Sequence, residues 1–126
     1  MSSRYVRTTV RNWLGLGSVP FYDTVNVEQD PTDRIWNSVD WGAGFRDRET
    51  FCGEVESGNF DVVFVGPPGI GDDELLEKAE AEIQVLMTRV DPSQKLSLLM
   101  FSAPQDFRTS QGKFCVSISV EYEYRA

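Results

Sequence analysis

The chain has 126 residues, with 12 Lys and Arg against 20 Asp and Glu, a formal charge of -8, no histidine and 40% apolar residues. That length and apolar content suit one domain around one core. No apolar run approaches the roughly 18 residues needed to span a membrane. The acid excess argues against wrapping nucleic acid, which needs a concentrated basic surface. It does not exclude a ring or channel that DNA passes without being held.

No apolar secretory segment follows Met1–Val6, so synthesis and folding in a cytoplasm is the expectation. In a reducing compartment Cys52 and Cys115 stay unbridged.

From Ser3 to Leu16, Val6, Val10, Trp13 and Leu14 recur at helical spacing, with Arg4, Arg7 and Arg11 between them. Ser2 or Ser3 can cap this segment and Gly15 or Gly17 can end it, which predicts an amphipathic helix packed on a sheet. Val19–Tyr22 reads as a short extended piece and Asp30–Asp33 as a turn. Arg34–Trp41 reads as a strand whose alternation is broken by Asn37 and Ser38 and punctuated by Gly42 and Gly44. Arg46–Glu49 is then a charged loop, either a solvated cluster or a subunit contact.

Thr50–Val55 predicts a strand, Glu56–Asn59 a turn, and the β-branched and aromatic run Phe60–Val65 a central strand. Two consecutive prolines within Gly66–Gly71 must stop it, since proline donates no ladder hydrogen bond. A second helix is expected over Asp72–Val90. Asp72, Asp73 and Glu74 suit its exposed first-turn amides, and Leu75, Leu76, Ala79, Ile83, Leu86 and Met87 form its stripe. Asp91–Pro92 ends it. Leu96–Phe101 is a further strand and Ala103–Gly112 a polar connection. From Phe114 to Tyr124 every second residue is apolar or aromatic, the period of a long strand with one packed and one wet face. Cys115, Ser117, Ser119, Glu121 and Glu123 fall on the wet face. The sum is an α+β fold, a largely antiparallel or mixed sheet with two helices on one face, forming a single domain over residues 1–126.

Catalytic chemistry finds little footing. The absence of histidine removes the commonest neutral-pH base and the imidazole metal ligand. Glu54 with Glu56, and Glu121 with Glu123, share strand faces, but carboxylates are common in so acidic a chain and ordinarily serve solubility. Gly66–Gly71 lies between a strand and a helix like a phosphate loop, yet no Lys-Ser or Lys-Thr follows, and Asp72–Glu74 would repel phosphate. Helix capping accounts for those acids without a cation. We expect no enzyme, no cofactor and no metal.

The chain resembles the tail-terminator proteins of long-tailed bacteriophages, the minor tail protein U group. The likeness rests on size, the opening helix Ser3–Leu16, the stretch Glu54–Val65, the turn Gly66–Gly71 into the acidic start Asp72-Asp73-Glu74-Leu75, and the closing strand Val116–Tyr124. It is a likeness in the order of elements rather than an invariant signature. It implies a non-enzymatic structural protein of the virion tail. Such a protein forms a hexameric ring on the head-proximal end of the tail tube, stops tube polymerisation and presents a surface to the head-side connector. Its partners would be other copies of itself, the tube protein and the connector, with no membrane. A head–tail connector or neck protein is the alternative, and a small binding domain or enzyme a more distant one. Candidate contacts are Trp41, Phe45, Arg46, Asp47, Arg48 and Glu49 in the loop Asp40–Glu49, and the acidic pair Glu121 and Glu123.

Overall fold

A computed structural model describes residues 4–22, 34–49, 53–67, 70–108 and 114–125, with the side chains of 43–49, 53–54 and 72 outside that description. The expected caps Ser2 and Ser3, the turn Asp30–Asp33, and Cys52 also lie outside it. Two helices and five strands follow one another as α1 (Arg4–Gly15), β1 (Trp36–Glu49), β2 (Gly53–Val65), α2 (Asp72–Met87), β3 (Leu96–Phe101), β4 (Gln105–Arg108) and β5 (Phe114–Arg125). The strands form one antiparallel sheet in the order β1-β2-β5-β3, with β4 also pairing β5. The α+β fold expected from the sequence is the fold found.

β5 lies inside the sheet, bonded to β2 on one side and to β3 and β4 on the other. Its even-numbered residues Val116, Ile118, Val120 and Tyr122 face the helices. They form one core with Phe60, Val62 and Phe64 of β2, Val39 of β1, Val6, Val10 and Leu14 of α1, and Leu75, Ala79, Ile83 and Leu86 of α2. Each Val, Leu, Ile or Phe among them contributes roughly 1.5–3 kcal/mol through burial, which is what holds both helices on one face. Trp13 packs against this core only in part.

Four expectations about the sheet need correction. First, Cys115 is not on a wet face: it is 1% exposed and packs with Trp36 and Val65, against which Tyr22 sets its ring edge-on to Trp36. Second, β2 runs straight through the expected turn Glu56–Asn59. Glu56, Ser57 and Gly58 pair with both β1 and β5, and Asn59 pairs with β5, so the ladders override the turn preference of Ser57-Gly58-Asn59. Third, Asp40–Glu49 is not a loop. β1 absorbs the glycines as an irregularity between Trp41 and Gly44, where a Cβ on Gly42 would sit 2.1 Å from Asn59 Oδ1. Fourth, the polar connection Ala103–Gly112 contains β4, whose four residues are all exposed and so carry no alternation.

α2 also stops short of Val90. The amides of Thr88 and Arg89 turn back to the carbonyls of Val85 and Leu86 and tighten its last turn, leaving Met87 and Val90 exposed.

Two buried carboxylates tie the helices to the chain around them. Glu82 of α2 accepts hydrogen bonds from the amides of Ser18 (2.9 Å) and Val19 (3.2 Å) and from the Ser18 hydroxyl. Gly17 is needed there, because a Cβ would lie 2.0 Å from Glu82 Oε2. Asp91 accepts from the Tyr5 hydroxyl (2.9 Å) and from the amides of Ser93 (3.1 Å), Lys95 (3.2 Å) and Leu96 (3.0 Å). The start of α1 is thereby fixed beyond the end of α2, and its end beside Glu82, so the two helices run antiparallel.

Replacing Glu82 by Ala orphans two backbone donors, which costs about 1–3 kcal/mol. The expected result is a lower urea midpoint at unchanged slope. The Asp91 carboxyl has its own pH signature. Burial alone would raise its pKa, but the Tyr5 hydroxyl and the Ser93, Leu96 and Lys95 amides outweigh it and hold it below the ordinary 3.8. Its contribution is therefore present above that value and lost as pH falls through the lower, folded-state value. Measured against Asp91→Asn, the stability advantage of the natural chain should be constant near neutrality and shrink only under acid; an advantage that grew as pH fell would contradict this assignment.

Candidate assembly surface

Trp41 is half-buried rather than presented to solvent. It lies on the helix face of β1, its ring tilted against Phe60 at 5.1 Å, with the Arg7 guanidinium carbon 5.1 Å from its centroid. Phe60 continues to Tyr122 at 6.2 Å, and the Tyr122 hydroxyl donates to Glu56 at 3.0 Å. A file of three aromatic rings thus has an arginine at one end and a carboxylate only 2% exposed at the other. An arginine over an indole face is an attractive contact worth about 0.5–1 kcal/mol at an exposed site. It also fixes the direction in which Arg7 leaves α1, towards the β1 side of the sandwich.

Phe45, Arg46, Asp47, Arg48 and Glu49 occupy the second half of β1, in register with Ser57, Glu56, Val55, Glu54 and Gly53. The ladder therefore places Arg46 at the register position of Glu56 and Arg48 at that of Glu54.

Glu121 and Glu123 lie on the sheet face away from the helices. Glu121 is exposed and stands between Asn59 and Met100 in the neighbouring strands. Glu123 accepts from Arg125 Nε at 2.7 Å, a solvent-exposed pair of little energetic weight. Along the same face Ser119 donates to Asp61 at 2.5 Å, and Asp40 is exposed on β1. This face is thus divided. One end is apolar and covered (Trp36, Val65, Cys115), and the other is acidic and serine-rich (Asp40, Asp61, Ser117, Ser119, Glu121, Glu123). The sequence revealed the acidic half through alternation. It did not reveal the covered half, because a lone Cys between Phe114 and Val116 carries no periodic signal.

The structure does not unite the two groups of candidate contacts. Trp41 faces the helices, whereas Glu121 and Glu123 face away from them. No pattern in the sequence marks the exposed apolar residues of the opposite edge: Leu99 and Met100 on β3 and Phe107 on β4. Leu99 lies at the ladder irregularity between Leu98 and Met100.

Among the described residues no three His, Cys, Asp or Glu side chains converge to hold a metal ion. No helix among them is long and apolar enough to cross a membrane. No family model matches the chain, and no curated protein matches it in sequence.

The two candidate groups differ in what substitution should do to the fold. Glu121→Lys changes an exposed side chain and should leave stability within about 0.5 kcal/mol. Trp41→Ala removes a half-buried ring from Phe60 and Arg7 and should cost about 1–3 kcal/mol. Guanidinium denaturation of both variants checks this, and equal costs would mean that the ring is not engaged as described.

Proposed function

We propose that the chain is a phage tail terminator: a structural protein that assembles as a ring, expected to be a hexamer, on the head-proximal end of the tail tube. There it stops tube growth and offers the head-side connector its attachment surface. The supporting observation is the one-sided sandwich. Both helices cover one sheet face, and the other carries exposed Asp40 and Glu121 and half-buried Asp61 and Glu123 between serines. An acidic, hydroxyl-rich face turned to a lumen would let DNA phosphates pass without binding, since like charge opposes the condensed contacts that hold nucleic acid. The segments on which the resemblance rests fall in α1, β2, α2 and β5, which is consistent with this reading.

In this reading the protein has no catalytic centre, takes no cofactor and works in the virion tail after assembly in the host cytoplasm. Its partners are its own copies, the tube protein and the connector. The test is the length distribution of tail tubes, by electron microscopy, from particles assembled with and without the chain. Overlong tubes lacking a head-side cap in its absence are expected. Tubes of normal length that fail to join filled heads would instead assign a connector or neck role, and unchanged virions would sink both readings.

A further inference from the structure

The two helices carry opposite charge, and the packing turns their charged flanks in opposite directions. α1 holds Arg4, Arg7 and Arg11 and no acidic residue. On a helix these three lie along one flank, and the Arg7 guanidinium over Trp41 shows that this flank looks towards β1. The other flank of α1 looks inward, since Tyr5 stacks on Tyr124 of β5 at 5.0 Å and bonds Asp91. α2 is acidic, with Lys78 its only basic residue. Leu76 lines a shallow groove of about 200 Å³ with Pro104, Asp106, Phe114 and Val116, so its flank overhangs the β4 side of the sheet. Asp73, Glu77, Glu80 and Met87 share that flank by helical spacing, and all four are exposed. Among the described residues the flank of α1 over β1 is thus basic, with Arg4 exposed and Arg7 and Arg11 half-buried, and the flank of α2 over β4 is acidic.

The spacings match as well as the signs. Along α1 the arginines step by three and then four residues. Read backward along α2, Glu80, Glu77 and Asp73 also step by three and then four. α1 and α2 run antiparallel within the chain, and rotation about an axis along the helices preserves their sense. A neighbouring copy related by such a rotation presents its α1 antiparallel to this copy's α2. That sets Arg4 against Glu80, Arg7 against Glu77 and Arg11 against Asp73.

We infer that the arginine flank of α1 docks on the acidic flank of α2 of a second copy of this chain. This is a head-to-tail contact, the type that generates rings when its rotation closes. Exposed Leu76-flank residues such as Met87 add apolar area beside the charges. The inference gives the ring of the proposed function a specific seam, and in that respect rests on it.

The test is sedimentation of the full-length chain at about 10 mM and about 1 M salt, where the screening length falls from about 30 Å to about 3 Å. Concentration-dependent association at low salt that is lost at high salt is expected. Arg4→Glu/Arg11→Glu and, separately, Asp73→Arg/Glu80→Arg should each weaken it by about tenfold or more with an unchanged circular dichroism spectrum. Combining all four substitutions restores opposite charge at every pair and should restore association, which a merely misfolded variant would not do. A natural chain that stays monomeric at low salt and high concentration overturns the seam, as does a combined variant that associates no better than either parent. Tail-tube length separates the two proposals. A chain that associates through this seam yet leaves tube length unchanged sinks the terminator reading alone. Overlong tubes without the chain, together with failed charge rescue, sink the seam alone.

Discussion

The fold depends on β5 being paired along both edges. Until its twelve residues lie between β2 and the β3–β4 pair, those strands share no ladder and the helices have no continuous surface to cover. Its helix-facing side chains touch the environment of both helices, so the core is assembled around one strand. β2 and β3 run parallel to each other with β5 between them, joined through α2. This arrangement makes the defining contacts long-range in sequence, as in Val65 with Cys115 and Val55 with Arg125. Such contacts carry a loop-closure cost before they contribute stability, which favours slow, cooperative folding over piecewise assembly.

Where the physics was local, the sequence was readable. α1 and α2 appear in their 3.6-residue periodicity, and β5 in its period of two, because each buries one face against a single layer. Where neighbours decided the outcome, it was not. Gly58 and Asn59 look like a turn in isolation, but they have strands on both sides. Asn37 and Ser38 looked like interruptions of β1; both are buried, and the Asn37 backbone bonds Pro20 and Tyr22 at 2.9 Å. The side-chain amide of Asn37 has no hydrogen-bond partner among the described residues, a local conflict with the core that no pattern in the chain signals. β4 was invisible for the opposite reason: none of its residues is buried, so its side chains show no alternation.

The candidate surface was legible to a similar, partial degree. Alternation placed Glu121 and Glu123 on the face away from the helices. The charged run Arg46–Glu49 was visible as charge but not as strand, since the register opposite Glu54 and Glu56 is a tertiary fact. The arginines of α1 were visible as a row, but which way that row faces depends on Trp41 in another element. The Tyr5 hydroxyl joins α1 to Asp91, a contact between distant parts of the chain that no spacing within α1 signals.

The edges of the sheet bear on how such a molecule can assemble. An open antiparallel sheet offers two edges for strand addition. Here the β3–β4 edge is interrupted by the irregularity at Leu98–Met100 and by Ser102–Pro104. In that gap the Ser102 amide donates to the Ser119 carbonyl, and the Ser102 hydroxyl accepts from the Ser119 amide and donates to the Ala103 carbonyl. At the other edge Phe21 bridges Asn37 and occupies the start of β1. Irregularities and a proline are the usual means by which proteins blunt an edge against uncontrolled pairing. If the proposed ring on the tail tube is right, a chain that ends a polymer has reason to suppress backbone templating, which has no intrinsic stop. Contacts between side chains on rigid helices set an angle between copies, and an angle is what allows a ring to close.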